Sequence, residues 1–83
     1  MKELIHFSAT WCQPCKQMQP TLEAFLADNP DISYVKYDAD KDVSKFMENN
    51  ITGVPAFVVN VEGKGSKFHK GIASAEQLAS LFE

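Results

Sequence analysis

The spacing of apolar positions changes character along the chain, and each change marks an element. Leu4 to Ala9 is a short apolar run with the look of a buried strand. Alternation places Leu4, His6 and Ser8 on one face and Ile5, Phe7 and Ala9 on the other. From Gln13 to Ala27 the period becomes helical. Cys15, Met18, Leu22, Phe25 and Leu26 recur at helical spacings and define a single apolar face. Pro14 suits a first-turn position, where its missing amide costs nothing. Pro20 falls in the helix interior and predicts a kink. Asp28-Asn29-Pro30 is the stop signal.

Ile32 to Asp38 reads as a second strand, followed by a turn at Ala39-Asp40-Lys41-Asp42. Val43, Phe46 and Met47 predict a short second helix closed by Asn49-Asn50. Ile51 to Pro55 is a loop. Ala56 to Val61 is nearly all apolar and predicts a third strand buried on both faces. Gly63-Lys64-Gly65 is a hairpin turn leading into an edge strand over Lys67 to Lys70, which Gly71 ends. Ser74 and Gln77 match a capping box ahead of a last helix whose apolar face is Leu78, Leu81 and Phe82.

The order is therefore β-α-β-α-β-β-α. A helix joins the first two strands, which makes them parallel with a right-handed crossover. The last two form an antiparallel hairpin. The expected architecture is α/β, a four-stranded mixed sheet with three helices spread over both faces. Eighty-three residues predict one small domain, residues 1–83, with no linker and no internal repeat.

Composition narrows the function classes. The net charge is −3 and the lysines are scattered, which argues against nucleic acid and anionic membranes as partners. No apolar run approaches the roughly 20 residues of a membrane span. Met1-Lys2-Glu3 enters the first strand almost at once, leaving no room for the apolar region of a signal peptide. The expectation is a monomer in the cytoplasm or another reducing compartment.

The two cysteines of the chain, Cys12 and Cys15, sit in Trp11-Cys12-Gln13-Pro14-Cys15-Lys16, between the first strand and the first helix. A thiol at a helix start meets unpaired backbone N–H groups and the positive end of the helix dipole. Both stabilise the thiolate. The second cysteine lies one turn further in, within reach of a mixed disulfide formed by the first. The pattern reads as thiol–disulfide exchange, with Cys12 as nucleophile and Cys15 as resolving thiol. A purely structural disulfide is the plainer alternative, and it suits a reducing compartment poorly. Half a zinc site is no better, because the two histidines have no ligand spacing to this pair.

These motifs resemble the thioredoxin family. Phe7 to Lys16 is similar to the family's F-x-A-x-W-C-G-P-C-K run. Pro20 matches the proline of its active-site helix. Ile51-Thr52-Gly53-Val54-Pro55 is similar to the loop ending in its cis-proline, and Gly71 matches the glycine after its last strand. The resemblance implies a disulfide reductase whose redox couple is the Cys12–Cys15 pair, with no further cofactor and no metal. It also implies disulfide-containing client proteins and a thioredoxin reductase or equivalent electron donor as partners. Trp11, Gln13, Val54 and Pro55 become the substrate-facing residues, with a cis bond at Val54-Pro55 and an extended client peptide pairing with the backbone before the proline. Core filling is the plainer alternative for Trp11. Pro14 stiffens the turn between the cysteines.

Three departures from the family pattern stand out. The strand and helix that open the family's fold are missing, which leaves a glutaredoxin-sized core. Gln13 replaces glycine. His6 stands where the family carries a buried aspartate beneath the cysteines, and Lys36 aligns with the lysine beside that aspartate. His6 is either the proton acceptor for Cys15 or a hydrogen-bonded core residue. Lys36 is either buried beside it, keeping the imidazole neutral, or a snorkelling strand lysine. Two rival functions remain in view: a glutathione-linked, glutaredoxin-like reductase, and a binding module indifferent to redox state.

Overall fold

The computed structural model describes residues 1–83. Its elements follow the order β1 (Lys2–Ser8), α1 (Gln13–Asp28), β2 (Ile32–Asp38), α2 (Val43–Glu48), β3 (Ala56–Val61), β4 (Gly65–Lys70) and α3 (Ala75–Ser80). The sheet order is β2-β1-β3-β4. β1 runs parallel to β2, and β1–β3 and β3–β4 are antiparallel. The helix-linked strands are the parallel pair, as a βαβ crossover requires.

The pleat sorts β1 between two cores. Leu4 joins Met18, Leu22 and Phe25 of α1, Phe57 and Val59 of β3, and Leu78 of α3. Phe7 faces the other way, with Ile51 and Ala56, against Phe46 of α2. Helices therefore cover both faces of the sheet. Phe46 meets Phe7 edge-on at 5.1 Å between ring centres, and Phe25 lies over Phe82 at 6.0 Å. Val43 and Met47 depart from expectation: both are mostly exposed. A six-residue helix presents under two turns, and Phe46 alone takes its inward side.

α1 continues through Pro20 as one helix. Pro20 and Lys16, whose carbonyl loses its donor, both lie on the exposed side, where water can substitute. At the hairpin, Gly63 and Gly65 take φ of 82° and 84°, a region closed to most side chains, so the turn depends on both. The capping box forms as read: Ser74 Oγ accepts from the Gln77 amide and Gln77 Oε1 from the Ser74 amide.

Candidate active site

The chain leaves β1 at Ser8 and enters α1 at Gln13, so the cysteine pair lies just past the carboxyl end of an inner strand. Cys12 is the N-cap of α1, with φ −87° and ψ 106°. Its Sγ accepts a hydrogen bond from the Cys15 amide at 3.2 Å. Serine or aspartate oxygen usually does this work, and here sulfur does. The same amide will favour negative charge on that sulfur once the pair is reduced. Pro14 removes one of the other first-turn donors and fixes the turn. Cys12 and Cys15 are joined as a disulfide, with Cα atoms 5.3 Å apart.

Although Cys12 is read as the attacking thiol, neither cysteine is exposed. Cys12 is 4% exposed and Cys15 3%. In the disulfide each sulfur turns toward the other, and Ala9, Ala39 and Val54 pack around the pair. Trp11, at 64% exposed, is no core filler, and Gln13 and Pro14 are exposed beside it. The Val54-Pro55 peptide is cis. Pro55 is buried, and its carbonyl accepts from the Gly71 amide at 2.8 Å, tying this loop to the end of β4.

Two depressions flank the disulfide. On one side, Trp11, Ala39, Phe46, Ile51 and Val54 line an apolar hollow of about 220 Å³. This brings together Trp11 and Val54 of the expected substrate surface. On the other side, Ser8, Ala9, Thr10, Cys15, Lys16, Gln19 and Lys36 line a groove of about 440 Å³. Sequence reasoning missed this groove. Its signal was the parallel register, which sets Lys36 beside His6 and Asp38 beside Ser8.

His6 is fully buried on the α1 side of the sheet. Its ring stacks on Phe57, with centres 4.6 Å apart, and Nδ1 shares a hydrogen bond of 3.0 Å with the Tyr34 hydroxyl. Nε2 is the one buried side-chain nitrogen or oxygen without a partner. Burial, and then the charge of Lys36, push the imidazole down to about 4. The tyrosine hydroxyl is pushed up to about 12, by burial and then by Glu23. Lys36 itself is exposed, which matches the snorkelling alternative, yet its charge still reaches His6. These values weigh against His6 as proton acceptor. Moving a proton from a thiol of ordinary pKa, about 8.5, to such an imidazole is uphill by roughly 6 kcal/mol. The geometry favours the hydrogen-bonded core residue.

The thioredoxin family profile matches residues 1–83, the full length of the chain. The chain belongs to the thioredoxin family. It is 41% identical over 63 residues to mitochondrial thioredoxin-3 of Saccharomyces cerevisiae, a match covering 76% of this chain and 50% of that protein. It is 31% identical over 78 residues to thioredoxin of Chlamydia trachomatis, covering 94% of this chain and 76% of that one. The crystal structure of oxidised yeast mitochondrial thioredoxin 3 superposes with a TM-score of 0.87 at 34% identity, covering 96% of this chain and 76% of that chain. The match to the yeast sequence spans about half of that relative's length. The thioredoxin fold is thus shared, and the four-stranded mixed sheet with three helices is its form here.

Proposed function

We propose that this thioredoxin-family chain is a thiol–disulfide oxidoreductase that reduces disulfides in client proteins. The observation that carries the reading is Cys12 at the N-cap of α1, bonded to Cys15, with its sulfur accepting the Cys15 amide. In the reduced form Cys12 attacks a client disulfide. Cys12 is the more ionised thiol of the pair and the better leaving group, because the amide and the helix start favour charge there. Cys15, one turn deeper, displaces the client and restores the Cys12–Cys15 bond. Two electrons move to the client, and the couple lies wholly in these side chains, without a further cofactor.

The client sits on the apolar side, against Trp11 and Val54, with Gln13 at the rim and Pro55 fixing the loop. Opening of this buried pair to a client takes place at that side, where exposed Trp11 borders the hollow. His6 and Lys36 support the site from below, one by packing and the other by charge. A reductase or an equivalent reduced partner returns the electrons. The compartment is a reducing one such as the cytoplasm; no helix is long and apolar enough to cross a membrane.

Replacing Cys15 with serine tests the reading. The expected result is a stable covalent adduct between Cys12 and a disulfide-bonded protein, released by dithiothreitol. A Cys15→Ser protein that forms no adduct while remaining folded contradicts the assignment of the two roles. An unimpaired cellular function in a Cys12→Ser, Cys15→Ser double variant favours the binding module instead.

A further inference from the structure

The apolar hollow beside Trp11 and Val54 has no charged group in its lining, but a lysine stands at its rim. Lys70 ends β4, opposite Ala56 on β3. The pleat sets it on the same face of the sheet as Phe7 and Ala56, the face against which Ile51 packs. Its stem runs along Gly53: a Cβ at that position would stand 3.1 Å from Lys70 Cε and 3.6 Å from Nζ. The ammonium donates to the Thr52 hydroxyl at 3.5 Å. Thr52 and Gly53 both line the hollow, just ahead of the cis Val54-Pro55 peptide. The Gly71 amide, bonded to the Pro55 carbonyl at 2.8 Å, holds the end of β4 against the same loop. Neither ion pair of the structure, Lys2–Asp31 or Lys45–Glu48, involves Lys70. Its polar partner is a neutral hydroxyl, and its side chain is exposed. The other charges near the hollow belong to the turn that follows β2 at Ala39. There Asp38 accepts from the amides of Asp40 and Lys41, and Asp42 from that of Asp38. Lys70 is thus the unpaired cation on the Thr52–Gly53 wall.

We propose that Lys70 is a specificity residue of the client site, selecting clients that carry a carboxylate beside the reactive cysteine. An extended client that pairs with the backbone ahead of Pro55 runs past Gly53. The glycine has no side chain to stand between that client and the ammonium, which lies along it. A client carboxylate therefore meets Lys70 while its disulfide faces Cys12, and a client lysine or arginine at the same place is repelled. Charge at the rim of an interface acts mainly on the rate of encounter and on orientation. The effect belongs to the first, bimolecular step of client reduction, and Lys70 takes no part in bond making. This selectivity rests on the reductase reading above and names the class of client that reading leaves open.

The test uses synthetic peptide disulfides that differ only in having Glu, Gln or Lys beside the reactive cysteine. Second-order rate constants for their reduction by prereduced protein are measured for the parent, Lys70→Gln and Lys70→Glu, at low and at high salt. The neighbouring charge also acts on the peptide's own sulfur, so the quantity read is the change in the Glu-to-Lys rate ratio between parent and variant. A variant that folds poorly lowers all the rates together and leaves that ratio alone. The expected result is a ratio lower by about threefold in Lys70→Gln and by about tenfold in Lys70→Glu. High salt should shrink both changes. An unchanged ratio in Lys70→Glu overturns the inference. A prereduced parent that reduces none of the peptides removes instead the reductase reading, and the selectivity with it.

Discussion

Replacing Cys12 with serine is expected to lower client disulfide reduction by about three orders of magnitude or more, with little change in fold. The loss follows from chemistry at one atom. Only a thiolate attacks a disulfide at a useful rate, and a serine hydroxyl stays protonated at neutral pH. An ordinary thiol near pKa 8.5 is about 3% ionised at pH 7, and the N-cap geometry raises that fraction at Cys12. Serine keeps the capping interaction, since its oxygen can accept the Cys15 amide that sulfur accepts now. Cys15 cannot substitute, because it sits one turn inside the helix and away from Trp11. The check is turnover of a protein disulfide together with a thermal melt of the reduced protein. Residual turnover within tenfold of the parent would mean that Cys15 or another group starts the reaction.

The second large effect is on acid stability. An unfolded chain protonates His6 near pH 6.5, whereas the folded chain holds it neutral down to about 4. Between those values the unfolded state binds the extra proton, so stability falls as pH drops from about 6.5 to 4 and is complete above that window. The shift of about 2.5 units corresponds to roughly 3 kcal/mol at full extent. That is a large share of the stability of a domain this small. Carboxylates titrate over part of the same range, so the comparison is with His6→Leu, which leaves them in place. Denaturant unfolding from pH 7 to pH 4 should show a steeper loss for the parent than for His6→Leu, by about 3 kcal/mol. Parallel curves would place the imidazole in a wetter setting than the stack between Phe57 and Tyr34.

Much of this architecture was legible because period and punctuation agree. The strand at Ile32–Asp38 and the strand at Ala56–Val61 fall where the apolar runs put them, and the Ser74 capping box opens α3 as read. β1 begins earlier than its apolar run, at Lys2. Pairing on both sides, with Ile32 and Val61, extends it through residues that look polar in isolation. Helical spacing grouped Val43, Phe46 and Met47 on one short helix, and a short helix on a sheet edge has room for one inward residue. Phe46 won because its ring meets Phe7 edge-on.

The candidate site was legible in its residues and less so in its surroundings. Cys12, Cys15, Trp11 and the Val54-Pro55 loop come together as the motif implies. Cys12 is buried in the disulfide, which no spacing rule reports. The partner of His6 lies 28 positions away, and only the register of β1 against β2 brings Tyr34 to it. The sequence left His6 open between proton acceptor and core residue. Burial tips the balance toward the core residue, because an imidazole lowered to about 4 makes a weak base.

The reduction potential of the Cys12–Cys15 pair, titrated in defined thiol–disulfide buffers, decides whether the pair is a reductant for protein disulfides. For a reductant the value is more negative than the biochemical glutathione poise of about −220 to −260 mV, so that electrons flow from this pair to clients. A value at or above that range would contradict that role and point to glutathione-linked, oxidising or isomerising work at the same two sulfurs.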